Sequence, residues 1–271
     1  MTTWMGGFCV ILLACQFTGV SLVAQELSKE ATKIESLSSE DVAVYGQGKT
    51  LSLVPGADAM RAKKLSIPRL CAPLKSMGWK GHPKRELKFT PEIDHWVWTW
   101  SEATQGDEIE VVLDGEPVLL SELESIQPAA DGTLMLPACF AKTFGEKLRY
   151  EPQWFKNTVG YWTGPKDYAE WSVTIAEPGQ YAVAVLQGLG AGQGGSDAAL
   201  SLRQGDIVKG EIAFEPVETG HFQNFRWVHL GMIEVTEAGE YQVRIEPRKI
   251  AKAALMDVRG VHLGKQAKGV R

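Results

Sequence analysis

The stretch TGHFQNFRW, Thr219–Trp227, places a histidine, two phenylalanines, a glutamine, an asparagine and a tryptophan behind a glycine. Such a set suits recognition. A ring face offers a flat apolar surface, while His221, Gln223 and Asn224 supply the donors and acceptors that orient whatever stacks on it. Phe222, Phe225 and Trp227 do not share one parity, so they cannot all face inward along a straight strand. Core packing is the expectation for Phe225 or Trp227, which alternate with polar residues and run on into Val228 and Leu230. Phe222, close behind Gly220, is the ring expected on a loop. Tyr161 and Trp162 form a second candidate pair. They precede the turn TGPKD, so at least one of them is expected at the surface, where loops carry function.

A third set, HWVWTW, holds Trp96, Trp98 and Trp100 at i, i+2 and i+4, all on one face of a strand and spanning ~13 Å. That stripe reads either as a platform for an extended ligand or, with more weight, as the core face of a small sheet.

Covalent chemistry finds less support. There is no Gly-x-Ser-x-Gly elbow, and His95, His221, His229 and His262 lie in or beside expected strands without a nucleophile motif. Glu170, Asp167, Glu211 and Asp257 can be combined into acid pairs, as acids can in any acidic protein. Gly190, Gly192 and Gly195 spell a formal GxGxxG, but the residues after it alternate as a strand. No helix N-terminus follows to hold a pyrophosphate, so the dinucleotide reading is rejected. No Cys/His cluster has zinc spacing.

The 271 residues carry a net charge of −5, which leaves no electrostatic footprint for nucleic acid. The 44% hydrophobic content is that of a globular protein with a sizeable core. Residues 1–24 hold no charged side chain and read as a secretory signal peptide, with export to the periplasm or medium. A lipid anchor at Cys15, in LLAC, is the alternative. Export leaves Cys71 and Cys139, for which a disulfide and two buried free thiols stay open as equal readings.

The elements that must position these groups are strands. Residues 25–45 are expected as a polar tether and 46–125 as a small antiparallel β-rich region with one short helix near Ala57–Lys64. The segment 121–133 marks a domain boundary, and 265–271 a basic tail. From Leu134 onward short alternating runs between Gly, Pro and Asp turns predict about eight strands and an all-β sandwich. SVTIAEPGQYAVAVLQG and GMIEVTEAGEYQVRIEP echo each other and are each expected as a β-hairpin whose return strand opens at Tyr181 or Tyr241.

The order NTVGYWTGPKDYAEWSV, PGQYAVAV, TGHFQNFRW, AGEYQVRI and ALMDVRGVHL resembles the jelly-roll, galactose-binding-like sandwiches of carbohydrate-binding modules of the family 6 and 35 type, over residues 134–264. Such domains sit on secreted bacterial glycosidases and on fucosidase-like and sulfatase-like chains. The resemblance implies a non-catalytic, secreted glycan binder in which Tyr161 and Phe222 sandwich a sugar, joined by Trp162 as a stacking residue and by His221, Gln223 and Asn224 as polar readers. An envelope protein or a secreted hydrolase is the alternative partner. Two departures stand out. Leu255 occupies the place of a hydroxyl ligand, and LPAC (136–139) replaces acidic residues that hold a structural calcium, leaving Asp257 as the one match. No cofactor and no bound calcium are expected.

Overall fold

The structure, a computed structural model, describes residues 31–266. The signal segment 1–24, Cys15 and the last residues of the basic tail lie outside the described residues. Among the described residues no helix is long and apolar enough to cross a membrane.

Residues 31–47 are not a tether. Val42 and Val44 are buried while Ala43 and Tyr45 are half-buried, the alternation of a strand. The N-terminal region contains β1 (Thr32–Lys33), β2 (Val42–Gln47), β3 (Thr50–Pro55), α1 (Ala57–Ala62), β4 (Lys64–Pro68), β5 (Leu74–Trp79), β6 (Lys88–Pro91), β7 (His95–Thr99) and β8 (Ile109–Leu113). β2 and β3 close through Gly48, whose φ of +55° suits a tight turn. One sheet runs β1-β2-β3-β8-β5 and a second β4-β7-β6. In the middle strand β7, Trp96, Val97 and Trp98 are all buried, so both faces are covered.

The C-terminal region contains β9 (Leu134–Pro137), β10 (Lys142–Phe144), β11 (Arg149–Glu151), β12 (Thr158–Gly160), β13 (Tyr168–Ile175), β14 (Gly179–Gly188), β15 (Asp197–Gln204), β16 (Ile207–Phe214), β17 (Arg226–Val235), β18 (Gly239–Lys249) and β19 (Asp257–Lys265). They form a five-stranded sheet, β10-β13-β18-β15-β16, and a six-stranded one, β11-β12-β19-β14-β17 with β9 also on β19. Alternate residues of β13, β14 and β18, among them Trp171, Val183 and Val243, fill the space between the sheets. The chain is therefore all-β, with a C-terminal sandwich.

The two echoing segments are not hairpins. β13 belongs to the five-stranded sheet and β14 to the six-stranded one, and β17 and β18 are divided the same way. Each segment is an arch that crosses the core. Tyr181 and Tyr241 are buried at the crossings, and their hydroxyls donate to the carbonyls of Glu177 (2.7 Å) and Glu237 (2.8 Å). Gly179 and Gly239, at φ +152° and +154°, turn the chain between sheets where a side chain would be strained.

The two regions fall within one compact unit from Thr32 onward. Ile126, in the expected boundary segment, bridges to Val173 of β13. Arg69, 1% exposed, reaches across from the residue after β4 to donate from Nη2 to the carbonyl of Cys139 (2.9 Å) and lies 5.1 Å from the Tyr150 ring centre. Cys71 and Cys139 are buried free thiols, not a disulfide. Burial pushes them up to about 11 and about 12, only partly offset by Arg69, so neither supplies a reactive thiolate near neutral pH.

Candidate functional site

The residues singled out from sequence do not converge. Trp162 is fully buried, its indole N–H donating to the carbonyl of Asp167 (3.1 Å) and its own carbonyl accepting from Leu255 N (2.9 Å). It is a core residue and is corrected as a stacking residue. Leu255 is likewise fully buried. Tyr161 is 43% exposed at φ +60°, but the Arg149 guanidinium covers its ring, 3.5 Å from the centroid. Phe222 is half-buried against Gly190, where an added Cβ would lie 3.0 Å from the ring.

The polar neighbours of Phe222 are engaged in their own turn. Gln223 N donates to His221 Nδ1 (3.1 Å), Asn224 N to the His221 carbonyl (3.0 Å), and the Asn224 amide to the Thr219 carbonyl. This segment is a self-bonded loop, because local side-chain partners are cheaper to reach than distant ones. The glycine loop is similarly occupied. Glu218 accepts from Gly192 N (3.0 Å) and Gly194 N (2.7 Å), and these bonds hold its carboxyl below the usual range.

Trp96, Trp98 and Trp100 are buried at 0%, 0% and 7% exposure, which removes the platform. Phe89 packs on Trp96 and Trp98, at centroid distances of 5.7 and 5.2 Å, and Trp79 meets Trp100 edge-on at 5.4 Å. The Trp98 indole donates to Met77 Sδ (3.3 Å).

Trp227 breaks the expectation that it packs in the core: it is 48% exposed. The cause is a bulge. Tyr181 pairs with Ile233 and Val183 with Gly231, but Ala184 pairs with His229, so Leu230 is an extra residue. Gly231, at φ +140°, permits it. The extra residue reverses the parity, and residues before it that would point inward point outward. On this outer face of the six-stranded sheet, Trp227 lies opposite Leu186, His229 opposite Ala184 and Met232 opposite Ala182. β19 continues the rows with Gly260, His262 and Gly264, and Met135 of β9, 52% exposed, lies opposite His262. Trp227 shares a row with Leu186 and Gly260, and Met135 the next row with His262, Ala184 and His229. The two border a shallow trough from strands three spacings, ~14 Å, apart, with Leu186 and His262 standing among small residues between them. His262 meets Trp227 edge-on, 6.2 Å between centroids.

Next to this face lies a loop that sequence reasoning overlooked. Trp154 (70% exposed) and Phe155 (49%) contact each other edge-on at 5.7 Å between β11 and β12. The loop is firmly held. Asn157 N donates to the Gln153 carbonyl (2.8 Å), the Tyr150 hydroxyl to Asn157 Oδ1 (2.8 Å), and Arg259 Nη2 to the carbonyls of Phe155 (2.9 Å) and Lys156 (2.7 Å). The adjacent aromatics between Pro152 and Asn157 were the available signal, since rings flanked by turn residues tend to be exposed.

Beneath the loop, Glu151 and Asp257 are buried together. A Cβ on Gly160 would lie 2.8 Å from Glu151 Oε2 and 2.9 Å from Asp257 Oδ1, so a side chain there would displace the two carboxyls. Burial, then the charge of Glu151, pushes Asp257 up to about 8, with Lys156 pulling the other way. The acidic partner of Asp257 is thus Glu151, not residues 136–139. Lys156 pairs with Glu151. Two carboxylates and an ammonium do not fit calcium, which takes six to eight oxygen ligands. Among the described residues no group of three acids, histidines or cysteines is placed to hold a metal. The other acids are also engaged. Glu170 pairs with Arg244, Glu211 with Arg248, and buried Asp167 accepts from Thr163 N and Gly164 N.

No protein-family model matches the chain, and no curated protein matches it. Among solved structures, the sandwich is similar to the C-terminal CBM6 of LamC, a marine laminarinase from Zobellia galactanivorans (20% identity, 49% of this chain, 99% of that one, TM-score 0.40). It is similar to a family 35 carbohydrate-binding module from Clostridium thermocellum (18%, 49% and 98%, TM-score 0.39). The chain is also similar to an α-L-fucosidase from Vibrio sp. strain EJY3 (13% identity, 90% of this chain, TM-score 0.34), of which it spans 43%. These likenesses are ones of fold.

Proposed function

We propose that this is a non-catalytic glycan-binding protein that takes a polysaccharide along the outer face of its six-stranded sheet. The observation that carries the reading is Trp227, an exposed indole in a row with Leu186 and Gly260, with His229, Ala184 and His262 in the next row of the same face. A pyranose presents a C–H face that stacks on such a ring, and imidazoles beside it hydrogen-bond hydroxyls. Nothing in this arrangement needs a metal, and the acids that would do glycosidic chemistry are paired or buried. Export through residues 1–24, or anchoring at Cys15, belongs to the same proposal and is tested by sequencing the N-terminus of the mature protein.

The test is a glycan array probed with the protein, followed by titration of each hit against Trp227→Ala. Loss of one stacking ring weakens binding by about tenfold, about 1.4 kcal/mol, with thermal unfolding unchanged. Equal affinity of the variant rejects this face. Met135 and Met232 on the same face favour a second reading, docking of an envelope protein or secreted hydrolase. Binding of such a partner with no array hit would select it.

A further inference from the structure

The surface arginines of this chain divide into two kinds. Arg61, Arg85, Arg244 and Arg248 each pair with a carboxylate. Arg149, Arg203, Arg226 and Arg259 have no carboxylate partner among the described residues. Arg203 sits apart at the β15–β16 turn, donating to the Asp206 carbonyl (3.2 Å), and the other three gather at one end of the sandwich. The Arg149 guanidinium lies over Tyr161, 3.5 Å from its centroid, and that of Arg259 over Phe225 at 3.8 Å. Arg226 is exposed at the start of β17, directly after Phe225.

These groups are joined physically. Lys156 Nζ is 6.0 Å from the Tyr161 ring, and the Lys156 carbonyl accepts from Arg259, whose guanidinium rests on Phe225, two residues before Trp227. The result is a ridge of alternating rings and guanidinium groups leading from Tyr161 to the trough. The acids behind it do not neutralise it. Glu151 is matched by Lys156, and Asp257 is buried beneath Gly160. In a chain with a net charge of −5, this end is locally cationic.

We propose that the ridge recognises the acidic groups of an anionic polysaccharide, a uronate or sulfated glycan, whose sugar rings continue into the trough beside Trp227. This rests on the reading of the sandwich as a glycan binder. Arg259 spends Nε and Nη2 on the Lys156 and Phe155 carbonyls and so holds the loop in place. Arg149, over the Tyr161 ring, keeps Nη2 for a ligand, and Arg226 is exposed. A guanidinium fork matches a carboxylate or sulfate with two parallel hydrogen bonds. Stacking also removes the entropy that a free arginine would lose on binding. A neutral glycan would leave these charges without a counterpart.

The experiment is calorimetric titration of the protein with polygalacturonate, chondroitin sulfate, laminarin and polyphosphate, at low and at physiological salt. The proposal expects one of the two acidic glycans to bind, more weakly as salt rises. Arg149→Gln and Arg226→Gln each lower that affinity roughly tenfold, and Arg149→Lys, which keeps the charge without the fork, lowers it less. Unfolding curves of the variants establish that they fold. The preferred acidic polymer distinguishes carboxylate from sulfate recognition. Binding to laminarin alone, untouched by the arginine variants, overturns this inference and leaves the glycan reading standing. Acidic binding that neither variant weakens overturns the ridge, and polyphosphate bound as tightly overturns the glycan class. Binding of none of the four, with an empty array, overturns both readings.

Discussion

Two sets of large aromatics meet opposite fates in this molecule. Trp96, Trp98 and Trp100 stand at strict twos on β7 and just beyond it, and all are buried. Trp154 and Phe155 are adjacent on a loop, and Phe225 and Trp227, although two apart, lie before a strand and upstream of a bulge, each exposed or half-buried. Composition does not separate them, since both are rich in tryptophan. The difference is in what holds them. The first set is held by other rings and by apolar neighbours from two sheets. The second is mounted on hydrogen-bonded loop carbonyls, guanidinium groups and a buried acid pair. Regular spacing signals packing, because a sheet face repeats every two residues, whereas a ring displayed to solvent needs an interruption of that repeat.

The largest effect that would test this contrast is on the buried set. Trp98→Ala removes a fully buried indole in contact with Phe89 and Trp96, and is expected to destabilise the protein by about 3–5 kcal/mol. Denaturant titration measures it. A loss of under about 1 kcal/mol would mean that Trp98 can leave the core without consequence, and the burial half of the comparison would fail.

The support under the exposed set predicts a pH dependence. Burial raises the folded Asp257 to about 8, far above its unfolded value. Between roughly pH 4 and 8 the folded state therefore binds the extra proton, and Asp257 makes the protein less stable as pH rises through that window. Asp257→Asn removes this slope and is expected to leave the variant more stable than the parent at pH 8 by several kcal/mol, on the order of 1.4 kcal/mol for each pH unit of the window, with little difference at pH 4. Unfolding curves across that range check it. A variant as pH-dependent as the parent would place the proton elsewhere.

The overall architecture was legible because it is written in local alternation. The runs from Leu134 to Leu263, and the buried faces of β7, β14 and β18, follow directly from period two. The sheet to which each strand belongs was not. The arches at Tyr181 and Tyr241 use the same Pro/Ala-Gly-x-Tyr grammar as a hairpin, and only burial of the tyrosine between two sheets distinguishes them. Of Tyr161 and Trp162, at least one of which was expected at the surface, Tyr161 is exposed and Trp162, its neighbour, faces the core. Lys156 and Glu151 were missed because an ion pair under a loop carries no periodic signature. The outward turn of Trp227 was hidden in a single extra residue, Leu230.

That last point admits the subtlest test. If the bulge at Leu230 turns Trp227 outward, then Trp227 and Trp154 contribute recognition and little packing. Trp227→Ala and Trp154→Ala are then each expected to change stability by no more than about 0.5 kcal/mol, a small fraction of the loss at Trp98, although the same side chain is removed. The measurement is denaturant unfolding of both variants beside Trp98→Ala under one condition. Trp154 serves as the internal standard, because at 70% exposure it has the least to lose. If Trp154→Ala is neutral while Trp227→Ala costs as much as Trp98→Ala, the register before Leu230 is inward. Trp227 would then join the core set, and the trough would lose its ring. If both are neutral, the indoles stand in water for a reason other than folding, and the binding titrations identify it.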